Sequence, residues 1–181
     1  MNFNQKLAQY VLGNFTAKDL PDVAMTGLIE KYESESLVIL AGFCKNENSL
    51  EILYYFKKAL IELDINLKNE KEAAIELINF YANEILEERV NVWNGMRLII
   101  NNVLNRTNLW DENNIAAYDS IGFENLYALY WQIEEIENNE IIIDITRRDE
   151  LILKIEQDIK VELKNWIQNT EGIKLSRHRN I

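Results

Sequence analysis

A chain of 181 residues, 48% of them hydrophobic, holds enough apolar material for one packed domain, which argues against a disordered chain. Six Gly and one Pro leave few obligatory turns, so long helices with short connections are expected. A net charge of −11 opposes binding to nucleic acid or to an anionic membrane and suits a basic partner.

Apolar spacing and cap signals predict seven to eight helices in an all-α fold, an irregular multi-helix bundle or a short helical stack. The first covers 3–13 and stops at Gly13-Asn14. Asp19 is expected to cap a second helix that tolerates Pro21 in its first turn and runs to about Tyr32. A third, short and very apolar, spans Ser36–Gly42 and is expected to be buried on most sides. Asn48 with Glu51 resembles a capping box for a helix that buries Leu53, Phe56, Leu60 and Leu63.

Asn69 with Glu72 repeats that logic, and the helix that follows carries Ala74, Leu77, Ile78, Tyr81 and Ile85 on one side. It is expected to close near Asn91, a residue that tolerates the left-handed conformation. A further helix covers 92–105. Residues 106–123 read as a loop with a helical turn at 115–118. A helix then covers 124–137, with Leu126, Leu129, Tyr130, Ile133 and Ile136 as its core stripe. The β-branched run at 140–145 suits an extended conformation. Thr146 with Asp149 opens the last long helix, whose stripe is Ile152, Ile155, Ile159, Leu163 and Trp166. The organisation expected is a single helical domain over 1–173 and a basic, flexible tail over 174–181.

Three segments together carry a resemblance: Asp19-Leu20-Pro21-Asp22-Val23-Ala24, then Ser36-Leu37 with Leu40-Ala41-Gly42, then Ala59-Leu60-Ile61-Glu62-Leu63-Asp64-Ile65. Over residues 19–92 the chain resembles a group of small bacterial helical proteins of unassigned function. It departs from that group at Asp64, where a small residue is more usual. The resemblance implies a helical fold and a bacterial source, and it carries over no catalytic residue and no substrate. Abundant Asn, Ile, Lys and Glu point the same way, to an AT-rich bacterial genome.

Catalytic and cofactor chemistry lacks its usual residues. His178 is the one histidine, the fourth residue from the end, which removes histidine-based zinc and di-iron motifs. Cys44 is the one cysteine; in Ala41-Gly42-Phe43-Cys44 it reads as a small buried hydrophobe. Gly42, Gly95 and Gly122 are isolated, so no phosphate-cradling loop is present. No metal or cofactor is expected. Trp93, Trp110, Trp131 and Trp166 are not interleaved with a basic stripe, as stacking on nucleic acid would need. No run reaches the roughly 20 apolar residues of a membrane span. No apolar run follows Met1-Asn2-Phe3-Asn4-Gln5-Lys6, so a signal peptide is not expected and the cytoplasm is the expected compartment.

Charge is unevenly placed. Residues 111–150 hold 11 acidic groups against Arg147 and Arg148, a balance of −9, while 1–110 carry −4 and 151–181 carry +2. Inside that acidic stretch, Tyr127, Trp131, Glu134 and Glu135 lie off the core stripe of their helix. With Trp110, Asp111, Glu112, Glu137, Glu140 and Asp144 they form the candidate protein interface, since interfaces favour aromatic anchors and complementary charge. Packing against a neighbouring helix is the competing reading of the aromatics, and a solvated face that of the acids. Ile141–Ile143 also suit edge pairing with another chain.

Three functions fit. The first is a non-catalytic protein-binding module, an immunity or inhibitor protein that neutralises a basic bacterial toxin. The second is a helical scaffold or adaptor that self-associates as a homo-oligomer or binds a housekeeping partner. The third is a carboxylate-based hydrolase, built on acids such as Glu84, Glu87 and Glu88 or Glu134, Glu135 and Glu137.

Overall fold

The computed structural model describes residues 1–44, 47–109, 118–138 and 145–177, and in the last stretch the side chains of 147–170. The fold is all-α. Among the described residues there are eight α-helices and no strand: α1 (Phe3–Val11), α2 (Leu20–Ile29), α3 (Glu35–Ala41), α4 (Ser49–Glu62), α5 (Glu70–Leu86), α6 (Val92–Asn102), α7 (Glu124–Glu137) and α8 (Ile145–Arg177). Short 3-10 turns cover Ala17–Asp19, Leu104–Arg106 and Asp119–Ile121. The contacts gather into two compact units, Met1–Leu77 and Ile78–Ile181, and the division falls inside α5.

In the first unit α3 packs on both α2 and α4. Phe3, Leu7, Leu20, Val23, Leu37, Leu40, Ile52, Phe56 and Ala59 form the core. On α4 the buried set is Ile52, Phe56, Ala59 and Leu60, so the stripe is turned slightly from the expected one and leaves Leu53 and Leu63 at its margin. Asn48 caps α4 by accepting from the Leu50 amide, not through the expected box with Glu51.

A carboxylate joins the end of α4 to the start of α3. Glu62 accepts from the Ser34 hydroxyl (2.6 Å), the Ser36 hydroxyl (2.6 Å) and the Ser36 amide (3.0 Å). Ser34 in turn caps α3 by accepting from the Leu37 amide. Donors aimed at an anion favour its ionised form. The Ser34 hydroxyl most of all, then the Ser36 hydroxyl and amide, hold the Glu62 carboxyl down to about 2.

Two expectations for this region are corrected. The α3 helix is not buried on most sides: Ser36, Leu37 and Leu40 are inside, while Val38 and Ile39 face out. A seven-residue helix clamped between two neighbours buries one stripe, and an apolar composition does not change that geometry. Cys44 is exposed, because α3 closes at Gly42 and leaves the thiol in the following loop.

The start of α5 follows the sequence. The Glu72 amide donates to Asn69 Oδ1 (2.9 Å) and the Asn69 amide to Glu72 Oε2 (3.3 Å), a reciprocal cap. Ala74, Leu77, Ile78, Tyr81 and Ile85 are all buried. Its end does not. Glu88, with φ of +59°, takes the left-handed position, and Asn91 instead caps α6 by accepting from the Asn94 amide.

In the second unit α6, α7 and α8 each touch the other two. The α8 helix, at 33 residues, is about 50 Å long. Its stripe of Ile155, Ile159, Leu163 and Trp166 is buried, with Ile152 at the margin. The Trp166 indole donates to the Ile121 carbonyl (2.8 Å) and its ring meets Phe123 edge-on. Backbone helix continues to Arg177, past the Lys174 at which a flexible tail was expected. Residues 178–181, the turn expected at 115–117 and the extended run expected at 140–144 lie outside the described residues. Ile145 opens α8.

Candidate functional site on helices α7 and α8

The α7 helix covers the expected span. Leu126, Tyr130, Ile133 and Ile136 face the core, and Leu129 is half-buried beside them. Of the candidate interface residues, Trp110, Asp111, Glu112, Glu140 and Asp144 lie outside the described residues. The other five are on α7 and do not act as one group.

Glu134 turns toward α6. Its Oε1 accepts from the Trp93 indole at 3.2 Å and also from the Tyr130 hydroxyl. The Arg97 guanidinium stacks over the Trp93 ring, 5.5 Å from its centroid, so a cation stands close to this acid. Burial first, then the Glu134 bond, raises the Tyr130 phenol beyond its ordinary range. Tyr127 is half-buried, with its ring edge-on to buried Tyr118 at 4.9 Å. Glu137 pairs with Arg148 at 2.9 Å. Expecting Tyr127, Glu134 and Glu137 on one outward acidic surface is therefore wrong. Each sits at the margin of the buried stripe, where a neighbouring side chain claims it.

Trp131 and Glu135 do point outward. Trp131 is 46% exposed, touching only the edges of Tyr127 and Tyr130 among the described rings. Ala128, Trp131, Gln132 and Glu135 recur at i, i+3, i+4 and i+7, and all four are exposed. They form the solvent face of α7.

Beside that face is a groove that the sequence did not disclose. Its α7 wall is Asn125, Ala128, Leu129 and Gln132, and its α8 wall is Asp158, Val161 and Glu162; it encloses about 380 Å³ and is open to solvent. Asp158 and Glu162 stand four residues apart on one side of α8. Neither they nor Glu135 enters an ion pair among the described residues. Exposed Val161 between two acids, off the Ile159/Leu163 stripe, was the available signal in the sequence. The face thus offers an exposed aromatic side chain, apolar groove walls and three carboxylates that form no ion pair among the described residues. It has no nucleophile paired with a base.

No family model, curated protein or solved structure matches the chain. Among the described residues no group of three His, Cys, Asp or Glu is placed to hold a metal ion. No described helix is long and apolar enough to cross a membrane.

Proposed function

We propose that the chain is a non-catalytic protein-binding module that receives a basic partner on the α7–α8 face. The observation that carries this reading is the placement of Trp131 and Glu135 beside a groove walled by Asp158 and Glu162. An exposed tryptophan supplies a large apolar contact at small entropic cost, and nearby acids that form no ion pair among the described residues select and steer a cationic partner. In its finer form, the module is an immunity or inhibitor protein that neutralises a basic bacterial toxin. The net charge of −11 supports this through long-range attraction of a cationic protein.

A test is an NMR titration of the purified chain with a helical peptide bearing lysines, arginines and one phenylalanine, and with its glutamate counterpart. Shifts confined to α7 and α8 are expected with the basic peptide alone, and binding should weaken as salt rises. Trp131→Ala should cost about 2 kcal/mol, roughly thirtyfold in affinity. Asp158→Lys with Glu162→Lys should abolish the salt dependence. No response at α7 or α8, or equal response to both peptides, rejects the reading. The toxin form is tested by co-expression with a cationic toxin encoded beside this chain; unprotected cells reject it.

A further inference from the structure

The outer face of α4 carries exposed apolar side chains. Leu50, Tyr54 and Ile61 are 75%, 60% and 79% exposed. They recur at i, i+4 and i+11, which puts them on one side of the helix, with exposed Lys57 between Tyr54 and Ile61, and opposite buried Ile52, Phe56 and Leu60. Single exposed apolar residues are ordinary on protein surfaces, whereas three aligned on one helix face mark a contact surface.

Charge along this stripe is polarised. Glu51 stands near its N-terminal end and Lys58 seven residues on, at the same edge. Glu51 enters no ion pair among the described residues. Lys58 stands 3.7 Å from Glu62, whose oxygens already accept from Ser34 and Ser36, so its ammonium keeps donors to spare.

We propose that α4 forms an antiparallel homodimer with α4 of a second copy. A two-fold axis at the level of Tyr55 and Phe56 reverses the helix direction and keeps each edge of the stripe against the same edge of the partner. Leu50 then meets the partner's Ile61, Tyr54 meets the alkyl stem and ammonium of the partner's Lys57, and Glu51 stands within reach of the partner's Lys58. Symmetry makes the ion pair twice. A purely acidic or purely basic partner would satisfy one end of the stripe and oppose the other, which is why the occupant is a second copy. The stripe is about 17 Å long, less than a standard interface, so the dissociation constant is on the order of tens of micromolar. This dimer is independent of the α7–α8 reading.

Sedimentation equilibrium of the full chain tests it, with circular dichroism confirming that each variant stays helical. A monomer–dimer equilibrium is expected for the native chain. Tyr54→Glu and Ile61→Glu, both at exposed positions, should each leave only monomer. Glu51→Lys and Lys58→Glu alone should each weaken the dimer about tenfold, and the double variant should restore it, because the exchanged charges still meet across the axis. A native chain that is monomeric throughout the micromolar range overturns the proposal. So does a dimer that survives Tyr54→Glu and Ile61→Glu, or a double variant no tighter than the single ones.

Discussion

The Trp93 indole on α6 donates to the Glu134 carboxylate on α7, across 3.2 Å and 41 residues of sequence. The buried stripe of Leu126, Tyr130, Ile133 and Ile136 orients this acidic helix, and the contact lies at the margin of that stripe. It holds Glu134 against α6, while Trp131 and Glu135 stay outside.

Removing that acceptor should be costly. Glu134→Ala leaves the Trp93 indole and the Tyr130 hydroxyl without it, and should lower stability by about 1–3 kcal/mol. Glu134→Gln keeps an acceptor oxygen and should cost less. Urea denaturation followed by tryptophan fluorescence measures both. Equal stability of all three proteins would show that the contact is dispensable.

Acid should loosen the first unit through Glu62. Its folded value is depressed from 4.5 to about 2, so the carboxylate stabilises the fold fully above pH 4.5. That contribution is lost as pH falls from 4.5 toward 2. Glu62→Gln should be less stable than the native chain at neutral pH and should converge with it near pH 2. Thermal melts across that range check the convergence; parallel curves contradict the assignment.

The opposite sign holds for two tyrosines. Burial, with Tyr127 adding a smaller effect, pushes the Tyr118 phenol from 10 up to about 12, and Tyr130 is raised as well. Both favour the neutral ring in the folded state, so their contribution is complete below pH 10 and disappears as pH climbs through 12. Absorbance at the phenolate band should show two rings ionising later than the rest, together with loss of helix. Uniform titration near pH 10 in the folded protein would contradict this.

Gly95 on α6 allows the closest approach to the end of α5. A methyl there would overlap Ile85 Cγ1 and fall 2.6 Å from Ile85 Cδ1 and 3.1 Å from Val90 Cγ1. Gly95→Ala should therefore destabilise by about 1–3 kcal/mol despite alanine's better helix propensity. Adding Ile85→Ala should recover part of the loss. Additive costs in the double variant, measured by calorimetry, would show that the two sites do not touch.

Much of the framework was legible because helices announce themselves locally. The α5 stripe and its cap need only 3.6-residue spacing and an Asn–Glu pair three apart, and both are observed. The bounds of α7 were legible for the same reason. Asn91 was misread because asparagine favours both ends of helices; the choice between them was made by Glu88 taking the left-handed turn first. The Glu62 link to Ser34 and Ser36 was not legible, since it joins groups 26 and 28 residues apart.

The sequence by itself determined that this protein is all-α, roughly where each helix lies, and which stripe of most helices is buried. Those properties follow from backbone periodicity and the removal of apolar side chains from water, which act over one or two turns. Only the tertiary structure decided which acids are held inward and which stay open, that Cys44 is exposed, that α3 shows an apolar side, and that Asp158 and Glu162 border Trp131's helix. A charged side chain at the margin of a stripe has no local preference between water and a neighbour's donor, so its direction is set by whichever helix packs beside it.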